Sequence, residues 1–191
     1  MNFKRILIII ILIAFGWFLV LDFVPGSNFV VFYNFCDKQA KVTELSPGDR
    51  LFPIEKFEGW CQQKIAASPV YFDVRVPQYF TKATVEVKYK NTAGQKFQFG
   101  PQTIKNEWQW LLVDVKQIGT EGEWQIGRAE FDLRGVYQNS PRMRWLVSAP
   151  EIEKVGQPIV ISEIKITFEK EKLSFGNFGE QVKSYLRKII R

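Results

Sequence analysis

Trp108-Gln109-Trp110 places two indoles two residues apart, and Arg142-Met143-Arg144 repeats that spacing with two guanidiniums. An indole offers a flat apolar face, whereas Gln and Arg offer directed hydrogen-bond donors. A sugar ring uses both kinds of group: its C–H face packs on an aromatic ring while its hydroxyls bond to amides and guanidiniums. Trp108, Gln109, Trp110, Arg142 and Arg144 are therefore the candidate ligand-binding residues. The competing reading is structural. Leu111, Val113 and Val115 share one face of a strand, and Trp108, Trp110 and Leu112 share the other. On that reading the indoles belong to an interior strand, covered on one side by a second sheet and on the other by the Cys36–Cys61 excursion or the C-terminal tail. Trp108, nearest the turn, is the better candidate for exposure.

Catalytic chemistry has less to work with. The chain contains no histidine, which removes the usual neutral-pH base, the usual triad member and the favoured metal ligand. A carboxylate-based hydrolase would need two acids about 5–10 Å apart across a cleft. Asp114, Glu130 and Asp132 are the candidates, yet Glu130 and Asp132 alternate with Ala129, Phe131 and Leu133 as an outward strand face would. The reading is a non-enzymatic chain without a cofactor. No Asp-rich loop nominates a calcium site, and structural calcium is left open.

Location is easier to read. Ile6 to Leu21 is sixteen residues without a charge, and the apolar reach to Val24 is nineteen, interrupted by Asp22. That length just spans a hydrocarbon core of about 30 Å. Lys4 and Arg5 precede it and predict a cytoplasmic N-terminus, with everything from about Pro25 onward exported. A cleaved signal peptide shares the basic start. The run, however, exceeds the usual apolar region of about 7–15 residues, and no small-x-small cleavage pattern follows closely. Membrane lipid contacted through residues 6–24 is thus one expected partner. Cys36 and Cys61, the only cysteines, both follow this segment and are expected to pair in an oxidising compartment. Without histidine or C-x-x-C spacing, a metal or redox role is disfavoured.

Net charge is +6, of which the first 23 residues carry +1 and residues 171–191 carry +3, leaving +2 for the middle of the chain. So small an excess is no nucleic-acid footprint, and no nucleic-acid partner is expected.

The elements that would position the candidate residues are strands. Val70, Phe72, Val74 and Val76 alternate with Tyr71, Asp73 and Arg75, and Ala83–Lys90 repeats the pattern. Asn91-Thr92-Ala93-Gly94 reads as a turn, so that Lys96–Phe99 returns as the second arm of a hairpin. Trp108–Val115 is a strand, and the region of Gly119 and Gly122 is a turn. Trp124–Leu133 changes parity at Gly127, which predicts a bulge or bend there. Arg142–Ala149 and Ile159–Phe168 complete the series, the latter with a parity slip at Ser162-Glu163. With Phe29–Phe35 this makes about eight or nine strands, the signature of a sandwich or barrel. Asp37–Ser68, rich in Pro and Gly and bracketed by the cysteines, is an ordered excursion beside the sandwich.

Trp124 followed by Phe131-Asp132-Leu133, then Met143 to Pro150, then Ile159 to Phe168, resembles the closing half of galactose-binding-domain-like jelly rolls. The resemblance covers residues 69–169. It implies a jelly-roll β-sandwich whose members often bind glycans through loops at one end, and others of which are structural modules in envelope or enzyme assemblies.

After Phe168 the apolar period lengthens, with Phe178, Val182, Tyr185 or Leu186, and Ile189 on one face of a short basic amphipathic helix. It either docks on the domain or lies on the anionic membrane surface. The expected organisation is an anchor over 1–24, a disulfide-stapled lead-in over 25–68, an all-β jelly-roll sandwich over 69–169 and the helix over 170–191. The expected function is a membrane-anchored extracytoplasmic module recognising a cell-envelope glycan. The alternative is a non-catalytic scaffold or assembly subunit that binds envelope proteins.

Overall fold

The computed structural model describes residue 16 and residues 28–37, 40–76, 80–103, 109–136 and 142–170. Trp108, the apolar run 6–24 apart from Gly16, and residues 171–191 lie outside the described residues, and with them the anchor and the terminal helix. Among the described residues no helix is long and apolar enough to cross a membrane.

Asn28–Glu169 forms one unit built from eleven described strands: β1 (Phe29–Tyr33), β2 (Glu55–Phe57), β3 (Trp60–Ile65), β4 (Val70–Arg75), β5 (Lys82–Lys90), β6 (Gln98–Pro101), β7 (Val113–Asp114), β8 (Lys116–Glu121), β9 (Trp124–Asp132), β10 (Arg142–Ser148) and β11 (Ile159–Glu169). One sheet runs β2-β3-β11-β5-β9-β8, with β1 also on β11; the other runs β4-β10-β6-β7. Registers place β3 against Ile159–Ile161 and β1 against Ile164–Phe168, so the two share the edge of β11 that faces away from β5. From β4 the chain alternates sheets through β5, β6–β7, β9, β10 and β11. That order, with neighbours β11-β5-β9 facing β4-β10-β6-β7, is the double-sheet winding of a jelly roll.

Period-two patterning explains why the sheets face one another. Val70, Phe72 and Val74 from β4 and Met143, Trp145 and Val147 from β10 form one buried cluster with Val85 and Val87 of β5, Phe131 of β9 and Ile164, Ile166 and Phe168 of β11. Burying each such side chain contributes about 1.5–3 kcal/mol. The parity slip in β11 is present as a register shift between Ile161 and Glu163.

Two local expectations are corrected and a third is located. Lys96–Phe99 does not return beside β5: the turn at 91–94 carries the chain across to the other sheet. Asn91 holds that crossing, its Nδ2 donating to the Gln95 carbonyl at 2.6 Å while its Oδ1 accepts from the Gln95 amide at 3.0 Å. The segment around Gly119 is strand β8, all six residues of which are exposed, so burial leaves no alternation to read. It is an edge strand, turned into β9 at Gly122, where φ is +59°. Finally, β9 pairs with β5 without a break from Gln125 to Asp132, and the irregularity lies in its other ladder, where the β8 register shifts between Gln117 and Gly119 opposite Ile126 and Gly127. A Cβ on Gly127 would lie 2.2 Å from Val115 Cγ1 and 2.9 Å from Tyr89 Cε1, which makes it a close-approach glycine.

The segment bracketed by Cys36 and Cys61 joins both sheets. Val42 and Ser46 bridge to Val74 and Tyr71 on the free edge of β4, and β2–β3 extend the larger sheet. The disulfide is formed, with Cα atoms 5.2 Å apart and 25 residues of separation. Replacing both cysteines by alanine is expected to lower stability by about 3 kcal/mol, the loop-closure entropy returned to the unfolded chain. Urea unfolding of the two proteins measures it, and a loss below about 1 kcal/mol would deny the staple that role.

Across the exposed face of the larger sheet, Glu86 joins three strands. It accepts from Lys165 Nζ on β11 and Arg128 Nη2 on β9, both at 2.7 Å. The Lys165 bond, followed by that of Arg128, holds the Glu86 carboxyl below its ordinary 4.5. A carboxylate depressed on folding contributes stability that is complete above the unfolded value and lost as pH falls through the folded one. Acidification from neutrality to below 4.5 is therefore expected to destabilise the wild type more than Glu86→Gln, as read from urea midpoints across that range. Equal slopes would show that the ion pairs carry no stability.

Candidate functional site

The exposed face of the four-stranded sheet is assembled from short-range rules. The ladder Phe99↔Val113 and Gln98↔Asp114 continues beyond β7 as a Gln102↔Trp110 bridge, with the Leu111 amide donating to the Pro101 carbonyl at 3.1 Å. Residues 109–114 are thus the outer arm of a hairpin with β6. Parity turns Leu111 and Val113 toward the core, and Trp110, Leu112 and Asp114 to the outside. This is an edge strand. Leu112 is 39% exposed, so among the described residues nothing supplies the expected cover there. The disulfide-bracketed segment lies along β4 instead.

Trp110 reaches across the sheet. Its ring centroid is 5.5 Å from that of Tyr71, at an interplanar angle of 33°, although β6 and β10 separate their strands. Gly100, Leu146 and Tyr71 occupy one row of the registers. Gly100 is required: a Cβ would lie 2.4 Å from the Leu111 carbonyl oxygen. Leu146 points outward by parity and is still buried. Both rings remain partly exposed.

Polar groups lie in the next two rows, the first of which Trp110 shares through its bridge to Gln102. Gln102, Arg144 and Asp73 form the first. Arg144 Nε donates to Asp73 Oδ1 at 2.8 Å and its Nη2 to Oδ2 at 3.3 Å, and this pairing raises the Arg144 pKa. Arg142 and Arg75 lie directly opposite one another in the second row. The structure therefore brings Trp110, Arg142 and Arg144 onto one face. It separates Gln109, which has the opposite parity and whose carbonyl accepts from the Thr103 amide at 2.9 Å.

A second aromatic group lies on the other sheet. Phe57 and Trp60 stack at 4.2 Å and 10°, Trp60 meets Trp124 edge-on at 5.5 Å, and Lys90 Nζ sits 4.3 Å from the Trp124 centroid. Phe57 and Trp60 spend one face each on the other. Sequence reasoning left both inside the excursion; the signal was Glu58-Gly59, a two-residue turn flanked by aromatics, with Gly59 at φ +81°.

The three candidate acids Asp114, Glu130 and Asp132 do not all share one sheet. Asp114 lies on the smaller sheet, bonded by Gln98 Nε2 at 2.7 Å, whereas Glu130 and Asp132 belong to the larger one. Hydrogen bonds from Arg134 hold the Asp132 carboxyl down at about 2, opposite to the raised value a general acid needs. Among the described residues no three His, Cys, Asp or Glu side chains converge as a metal site.

The fold and this face define an all-β jelly-roll sandwich of two sheets with an aromatic and guanidinium surface on the smaller one. No family model matches the sequence, and no curated protein matches it. Similar solved structures include a CBM22-1 xylan-binding domain from Paenibacillus barcinonensis, at 10% identity over 78% of this chain and 99% of that one, with a TM-score of 0.47. A CBM35 module from Cellvibrio japonicus is similar at 16% identity over 74% of this chain and 98% of that one, with a TM-score of 0.45. A CBM6 module from Clostridium stercorarium, solved with cellobiose, is similar at 9% identity over 74% and 94%, with a TM-score of 0.43.

Proposed function

We propose that this chain is a membrane-anchored extracytoplasmic module that binds a cell-envelope glycan on the exposed face of its four-stranded sheet. The observation that carries the reading is the Trp110–Tyr71 pair: two partly exposed rings beside the Arg144–Asp73 pair. Stacking wants an aromatic face held in place, and hydroxyl recognition wants donors and acceptors that are themselves oriented. Both are present within adjacent rows of one rigid sheet, which lowers the entropy cost of binding. Export and anchoring are supported by the uncharged run that follows Lys4-Arg5 and by the Cys36–Cys61 bond, which suits an oxidising compartment. The function is binding, not catalysis, because the acids of this face are paired or isolated.

The test is a glycan array probed with the full-length chain and with Trp110→Ala. Saturable binding that the substitution removes supports the proposal. Absence of any glycan signal together with a stoichiometric envelope-protein partner replaces it with the scaffold reading.

A further inference from the structure

Beyond the ring pair, the same face ends in a cleft of about 220 Å³ lined by Lys41, Thr43, Asp73, Arg75 and Arg142. Its charges do not balance. Asp73 is engaged by Arg144 through both carboxylate oxygens. Among the described residues no acidic side chain pairs with Arg75 or Arg142, and Lys41 Nζ lies 4.8 Å from the Phe29 ring centroid. Arg75 and Arg142 stand directly opposite in the β4–β10 ladder, an arrangement in which like charges destabilise a sheet. Their inward neighbours Val74 and Met143 do the packing, and both arginines are exposed. Nothing in the fold calls for two guanidiniums there, whereas an oxyanion between them would turn the repulsion into bidentate, charge-assisted hydrogen bonding.

We propose that the glycan bound by this face is acidic, and that Arg75 and Arg142, with Lys41, hold its carboxylate or phosphate group in the cleft while neighbouring rings extend toward Tyr71 and Trp110. This rests on the glycan reading above and narrows it. Along β4, Arg75 is four residues from Tyr71, about 13 Å at strand rise, so a short oligosaccharide spans both ends.

The experiment titrates the full-length chain, Trp110→Ala and the double variant Arg75→Gln/Arg142→Gln with four polymers: polygalacturonate, its methyl ester, a polyglycerol phosphate and neutral xylan. The expected result is that an acidic polymer binds at least about tenfold tighter than the uncharged ones, that rising salt weakens it, and that the double variant loses the preference. Its melting temperature should hold or rise, because a like-charge pair has been removed. Which acidic polymer is preferred assigns the anion to a uronate or a phosphodiester. Equal binding of acid and ester, or a double variant that behaves as wild type, overturns the inference while leaving Trp110-dependent glycan binding intact. Failure of all four polymers overturns both. Acid binding that needs the arginines but not Trp110 upholds the anion site and removes the ring platform.

Discussion

Trp145→Ala is expected to lower the unfolding free energy by about 3–5 kcal/mol, a large part of the 5–15 kcal/mol a typical domain possesses. Trp145 sits in the middle of β10, flanked by Phe72 of β4 and Pro101 of β6, and is fully buried. Its ring meets Phe131 edge-on at 5.1 Å and Phe168 at 6.3 Å, so one side chain joins β10 to β9 and β11 of the facing sheet. Truncation removes the transfer free energy of an indole and leaves a cavity that two hydrogen-bonded sheets cannot close. A fall in melting temperature on the order of 10 °C follows for a domain of this size. Trp145 Nε1 has no hydrogen-bond partner among the described residues. Trp145→Phe therefore sacrifices volume without orphaning a donor, and should cost clearly less than the alanine substitution. Urea unfolding with an unchanged m-value measures both. A loss under about 1 kcal/mol for Trp145→Ala would mean that the two sheets do not pack as described.

Trp110→Ala should have the opposite signature. Its indole is partly exposed on an edge strand, with Tyr71 as a neighbour, so its removal is expected to cost about 1 kcal/mol of stability or less. Glycan affinity is expected to fall by about tenfold to a hundredfold, equivalent to roughly 1.4–2.8 kcal/mol for a central aromatic anchor. Tyr71 would lose its ring partner at the same time, so the platform is halved and not merely trimmed. Binding isotherms and melting curves on the same preparation separate the two effects. A stability loss near that of Trp145→Ala, or unchanged binding, would return Trp110 to the structural role that its sequence also allows.

The contrast between these indoles marks how far the residue order could be read. Met143, Trp145 and Val147 alternate with Arg142 and Arg144, so the burial of Trp145 and the outward placement of both arginines follow from period two alone. The same rule located β4, β5 and β11, because strands with one buried face leave a visible alternation. It was silent on β8, which buries nothing, and on β2 and β3, whose short pairing is held by the disulfide-bracketed segment. It misjudged the turn at 91–94, because a tight turn looks the same whether its arms pair or cross between sheets. The notion of a covered Trp110 came from the true observation that both faces of its strand are apolar; position in the sheet, unreadable from one strand, made it an edge.

Hydrophobic periodicity was enough to determine an all-β chain, and the two cysteines were enough to determine the bond between them. Those properties are local or compositional, carried by each segment by itself. Tertiary structure decided what depends on residues far apart in the chain. It set Tyr71 under Trp110, paired Arg144 with Asp73 across 71 residues, and faced Arg75 with Arg142 beside Lys41. Side-chain recognition is a property of neighbours in space, and in a jelly roll neighbouring strands are seldom neighbours in sequence, because the chain alternates between two sheets.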